Sequence, residues 1–179
     1  MRLALLIVLA AATPTHADPT VTYAPPAPTV QPAGPRQWNA EVRLGYGVQI
    51  TSGDGMTAPR SAPLTIEADA AFLLQQEEPR LFVYAGGIAE TLDRSAIGGS
   101  GGVELEQGSF RLRGGANYYF APYTLFGADA SAGTCRHIGK SKRGCLDLQV
   151  TEFFAGTDLV KGHASTQIQL VLGMAFDGN

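Results

Sequence analysis

The stretch 38–50, WNAEVRLGYGVQI, puts Trp38, Ala40, Val42, Leu44, Tyr46, Val48 and Ile50 on one parity and Asn39, Glu41, Arg43, Gly45, Gly47 and Gln49 on the other. Side chains alternate across a strand, so this segment has one apolar face and one polar face. Period alone does not say whether the apolar face meets lipid, a core or an internal cavity.

The same alternation recurs downstream. Eight runs, near 38–50, 63–75, 80–91, 97–107, 109–120, 123–135, 145–156 and 164–176, are each 11 to 13 residues long. That exceeds the usual strand and suffices for the roughly 9–11 tilted residues that cross a bilayer. The connections TSGDGMTAPRSA, QEEP, RSAIG, QGS, AP and TDLVKGH carry the Gly, Pro, Ser and Asp of turns. GGSGGVE at 98–104 is weak as a strand, but Val103 and Leu105 alternate with Glu104 and Glu106, so a strand is expected there too. Glu152 falls on the apolar parity of its run, which predicts a bulge there or an interfacial position.

The 179 residues suffice for one domain or one closed barrel. Charged residues make up 16%, against roughly 25% in soluble proteins, and the 22 glycines suit strands and tight packing over helices. A net charge of −3 without a basic face argues against nucleic acid.

The opening MRLALLIVLAAATPTHA has Arg2, an apolar core from Leu3 to Ala12, and Thr15 and Ala17 before a cut at Asp18. It reads as a secretory signal peptide over 1–17. Residues 18–36, DPTVTYAPPAPTVQPAGPR, hold six prolines and read as a semi-rigid linker or arm. The barrel domain is expected over 37–176, with a tail at 177–179. No stretch approaches the length of a transmembrane helix, so an exported chain is periplasmic, secreted or inserted as a β-barrel.

Charge chemistry bears on the choice. After the signal peptide only three lysines occur, Lys140, Lys142 and Lys161, all in predicted loops. The strand charges are instead arginines and carboxylates: Glu41, Arg43, Glu67, Asp69, Glu90, Glu104, Glu106, Arg111, Arg113, Asp129 and Asp147. A planar guanidinium donates two parallel hydrogen bonds to one carboxylate, which suits confined pairs. Eight strands leave a lumen just wide enough for side chains, so Glu41, Arg43, Glu67, Asp69, Glu104, Glu106, Arg111, Arg113 and Asp147 are expected as a network plugging it.

With its signal peptide, eight alternating runs and closing run QIQLVLGMAF, the chain resembles the small eight-stranded outer-membrane β-barrel proteins of Gram-negative bacteria. It departs from them in having Asp177, Gly178 and Asn179 after the terminal aromatic Phe176. The resemblance implies an all-β, single eight-stranded antiparallel up-and-down barrel in the outer membrane. Its partners would be outer-membrane lipid and the barrel-insertion machinery, with loop 51–62 as a possible contact for an extracellular ligand. The expected role is structural or surface-interacting. A soluble periplasmic or secreted barrel holding an apolar ligand is the alternative, with the apolar parity turned inward.

Cys135 and Cys145 flank RHIGKSKRG at the ends of two facing runs and are expected to form a hairpin disulfide. With a periplasmic N-terminus, parity puts this basic connection on the periplasmic side, where connections are normally short. With only His137 and His163 besides the cysteines, no metal site or cofactor is expected. GHAST brings His163 two residues before Ser165, a spacing that raises an outer-membrane lipid hydrolase as a further alternative. The only acid after Ser165 is Asp177, about 40 Å along an extended strand. No catalytic residue is therefore assigned and no enzyme is expected.

Overall fold

The computed structural model describes residues 36–53, 56–92 and 95–178. The signal-peptide reading of 1–17 and nearly all of the proline-rich segment lie outside the described residues. Nine strands form one antiparallel sheet: β1 (Trp38–Gly53), β2 (Met56–Ser61), β3 (Leu64–Gln75), β4 (Arg80–Thr91), β5 (Ala96–Gln107), β6 (Phe110–Ala121), β7 (Leu125–His137), β8 (Lys142–Gly156) and β9 (Ala164–Gly178). All except β2 build the wall, and pairing of β1 with β9 over Trp38↔Gly178 to Ser52↔Ala164 closes it. The protein is an eight-stranded antiparallel barrel. Closure removes the unpaired edges that an open sheet of such apolar strands would leave.

One end of the barrel, here called lower, holds Gln37 and Gly178, joined by a 3.1 Å backbone hydrogen bond, and the turns 76–79, 108–109 and 138–141. The other, upper end carries the two longest excursions, the β1–β2 hairpin and 157–163, beside short connections after β4 and β6.

Two connections differ from the sequence reading. Of the expected loop 51–62, residues 51–53 and 56–61 are strand, because β1 continues to Gly53 and pairs back with β2 from Val48↔Ser61 to Gly53↔Met56. The upper half of β1 is held on its other side by β9, which supplies the partner that local turn residues do not reveal. The connection between the cysteines is likewise mostly strand: Arg136 pairs with Gly144 and His137 with Arg143, which leaves a four-residue turn at 138–141. That length suits the lower end, where the other turns are also short. The glycine run 98–102 forms the middle of β5.

Alternation runs round the wall with one sense. Val42, Leu44, Ile66, Leu112, Leu148, Leu170 and Leu172 point outward, Leu172 with 60% of its surface exposed, while the opposite parity is buried. The barrel is thus apolar outside and polar inside, the reverse of a soluble barrel built around an apolar ligand. Register slips by one residue between Phe126 and Gly127 of β7 where they face Ala155 and Phe153. This bulge lies just beyond Glu152, which points outward near the upper end.

Candidate functional site

The polar parities converge in the lumen, where Glu41, Arg43, Glu67, Asp69, Glu104, Glu106, Arg111, Arg113 and Asp147 are all buried. Arg111 on β6 is the hub. Its Nη1 and Nη2 donate to the two Glu41 oxygens from β1 at 2.6 and 2.8 Å, and its Nε donates to Asp147 Oδ1 on β8 at 2.9 Å. Nη2 also donates to Asp147 Oδ2. One planar cation thereby ties three strands that are far apart in sequence.

Two glycines make room for these carboxylates. A Cβ at Gly173 on β9 would collide with the Glu41 carboxylate, and one at Gly133 on β7 with that of Asp147. Both glycines occupy inward positions of their strands. Absence of a side chain there is a packing requirement of the ion pairs, not a turn signal.

Neighbouring arginines extend the network. Arg43 donates to Glu67 Oε2 at 2.6 Å and to Gln149 Oε1 at 3.1 Å, and Ser100 donates to the other Glu67 oxygen at 2.6 Å. Arg113 donates to Asp69 at 2.9 Å, approaches Glu41 and Glu104 at 3.5 and 3.6 Å, and lies 3.9 Å over the Tyr84 ring. At the lower mouth Glu106 meets three guanidinium groups, Arg143 at 2.8 Å, Arg36 at 2.9 Å and Arg80 at 3.5 Å. Asp177 pairs with Arg143 at 3.0 Å and with Arg36 at 3.4 Å.

Arg36, Arg143 and Asp177 are lumen residues that the sequence reading placed in the linker, the inter-cysteine connection and the tail. The signal for two of them was present: Arg143 shares the inward parity of Cys145 and Asp147, and Asp177 that of Val171 and Ala175. Arg36 precedes the first strand, so no periodicity reaches it. Its guanidinium sits 4.2 Å over Phe82, which helps to seal the lower mouth.

Higher in the lumen, amides and hydroxyls replace the arginines. Gln49 donates to Ser165 at 2.6 Å, Gln167 to Glu90 at 3.1 Å, and Gln169 to the Pro63 carbonyl at 3.1 Å. Above them Ile88, Ala96, Tyr119, Leu125 and Phe153 form an apolar plug, with the Tyr119 and Phe153 rings 5.8 Å apart. From mouth to mouth the interior is filled with side chains, as an eight-stranded barrel allows.

No protein-family model matches the chain, and no curated protein matches it. Solved structures share its architecture. The structure of Neisserial surface protein A is 11% identical, covering 79% of this chain and 97% of that one at a TM-score of 0.49. Ail, the attachment invasion locus protein of Yersinia pestis, in complex with the heparin analogue sucrose octasulfate, is 12% identical, covering 79% and 99% at 0.43. A transmembrane β-barrel from de novo design is 12% identical, covering 80% and 97% at 0.47. These are likenesses of fold.

The hydrolase arrangement with Asp177 as its acid does not assemble. Ser165 faces inward, 3% exposed, with its Oγ accepting from Gln49, while Asp177 lies at the opposite end of β9 in the grip of Arg143 and Arg36. His163 and Ser165 do share a small cleft of about 90 Å³ with Asp158 at the upper end. Cys135 and Cys145 are directly paired across β7 and β8, 4.1 Å apart at Cα, and form a disulfide. Both face inward near the lower mouth.

The outer surface has a defined height. Aromatic side chains project outward near the lower end at Trp38, Phe72, Phe110 and Phe176, and near the upper end at Phe120, Phe126 and Phe154. Phe110 and Phe120 lie at the two ends of β6. Ten residues of strand rise about 34 Å, which a tilt of about 40° projects to roughly 26 Å. That matches the apolar band of about 25 Å between the aromatic girdles of a membrane barrel.

Proposed function

We propose that the chain is an outer-membrane β-barrel with a structural or surface-interaction role, its lower end in the periplasm and its upper end outside the cell. The observation that carries this reading is the polarity of the wall. An apolar band between two aromatic rings encircles a barrel whose buried parity holds arginine–carboxylate pairs. Such a surface is costly in water and fits a bilayer, where a closed barrel satisfies every ladder hydrogen bond internally. The orientation follows from the two longest excursions, the β1–β2 hairpin and 157–163, both at the upper end.

A filled lumen favours anchoring or display over conduction. The contact for an external ligand or surface is the upper hairpin over 51–62 together with connection 157–163, because both rise at the end that faces outward. Outer-membrane lipid and the barrel-insertion machinery are the partners that this placement requires.

Fractionation of cells that express the full chain tests the proposal, followed by electrophoresis of heated and unheated samples. Recovery with the outer membrane and a mobility shift on boiling are expected. Recovery in the soluble periplasm, or a mobility indifferent to heating, would refute it.

A further inference from the structure

The lower rim is electrostatically uneven. The β7–β8 turn carries Arg136, Lys140 and Lys142, all exposed, and no acidic residue occurs between Arg136 and Leu146. Among the described residues none of the three pairs with a carboxylate, whereas Arg143, in the same hairpin, turns inward to Glu106 and Asp177. The β3–β4 turn, with exposed Glu77 and Glu78, stands on the opposite side of the barrel because two strands separate the two hairpins in either direction, β5 and β6 one way and β9 and β1 the other.

The direction of the basic groups matters more than their number. Arg136 continues the outward parity of Ala130, Ala132 and Thr134 on β7, and Lys142 that of Leu146 and Leu148 on β8. Lys142 pairs with Phe176 across β9, and its ammonium lies 5.8 Å from that ring. Ile138 at the turn is 66% exposed. Cations therefore leave the wall on its apolar side, at the level of the lower aromatic girdle and beside an exposed aliphatic group. Such long side chains lay their stems on apolar material and lift their charges to its boundary. The Cys135–Cys145 disulfide closes this hairpin, and a backbone bond from Ile138 N to Lys142 O at 2.9 Å shapes its tip. The charges are thus held ready, with little ordering left to cost on binding.

We propose that the basic turn Arg136–Lys142 binds the phosphate headgroups of anionic phospholipids at the lower face of the membrane. The inference rests on the membrane reading above. An anionic leaflet supplies what the turn displays a need for: negative charge over an apolar layer, at one depth.

Trp38 is the chain's single tryptophan and lies on β1, one strand away from β8 across β9, about 12 Å from Lys142 at the usual strand spacing and rise. It serves as donor for energy transfer to acyl-labelled phospholipids in vesicles containing the folded full chain. Phosphatidylglycerol should be enriched over phosphatidylcholine around Trp38 by roughly fivefold. The combined variant Arg136→Gln/Lys140→Gln/Lys142→Gln should bring the ratio near one, and Glu77→Gln/Glu78→Gln should leave it unchanged. A native ratio near one, or an enrichment that survives in the triple variant, would overturn the proposal. Loss of enrichment with inorganic phosphate, but not with chloride at equal ionic strength, would assign the turn to free phosphate and overturn lipid as its occupant. Heat-dependent mobility in pure phosphatidylcholine is read alongside: its absence would overturn the membrane reading and this inference with it, whereas its presence without enrichment would overturn this inference alone.

Discussion

The lower and upper halves of the lumen are filled by different chemistry. Among the described residues the five buried arginines, Arg36, Arg43, Arg111, Arg113 and Arg143, lie in the lower half, interleaved with Glu41, Glu67, Asp69, Glu104, Glu106 and Asp147. The upper half relies on Gln49, Gln167, Gln169, Ser165 and Thr65 around the buried carboxylate Glu90, then on the plug around Tyr119 and Phe153. Charged groups taken out of water depend strongly on their partners, while neutral hydrogen bonds are individually worth about 1 kcal/mol. The lower half should therefore fix strand register and fail when one member is removed, and the upper half should tolerate single changes.

Arg111→Met is the sharpest way to break that contrast. It leaves Glu41 and Asp147 facing each other without their shared cation and should cost about 3–5 kcal/mol in urea unfolding from vesicles. Replacing the set together, as Arg111→Met/Glu41→Leu/Asp147→Leu, should cost much less, because no uncompensated charge remains. Equal losses in the two variants would show that the ion pairs hold the fold by their own energy.

Second in size is the clamp at the lower mouth. Cys135→Ser/Cys145→Ser should lower stability by about 2–3 kcal/mol through the freed loop of the unfolded chain, with the barrel still able to form. Comparison of urea midpoints with and without reductant for the native chain checks the same quantity.

Gly173→Ala follows, at about 1–3 kcal/mol, since the added methyl meets the Glu41 carboxylate and must displace it from Arg111. The smallest effect is expected above: Gln49→Leu removes one hydrogen bond, to the neutral Ser165 hydroxyl, and should lower the stability by no more than about 1–2 kcal/mol. A loss there as large as that for Arg111→Met would erase the distinction between the halves.

The wall was legible in the sequence because a period of two is a property of each strand alone. Trp38, Val42 and Leu44 against Glu41 and Arg43 already state both faces. Which face turns inward was not contained in that period; the near-restriction of strand cations to arginine was the indication, and the closed barrel resolves it. Of the three lysines expected in loops, Lys142 is the first residue of β8 and points outward. What escaped reading depends on non-local pairing. Arg143 looked like a loop residue because the stretch 136–144 is basic and glycine-containing, yet His137↔Arg143 pairing draws it into β8. Thr51 and Ser52 looked like turn residues, yet Ser165 and Ala164 of β9 hold them in β1. Gly133 and Gly173 carried no meaning until the positions of Asp147 and Glu41 were known.

The central claim is that the outward parity meets hydrocarbon, and Leu170, midway along β9 and 55% exposed, is the place to measure it. In a Trp38→Phe background, Leu170→Trp should be strongly quenched by phospholipids brominated along their acyl chains and little affected by a water-soluble quencher. Fluorescence insensitive to brominated chains but quenched from water would mean that this face of the barrel is not in the membrane.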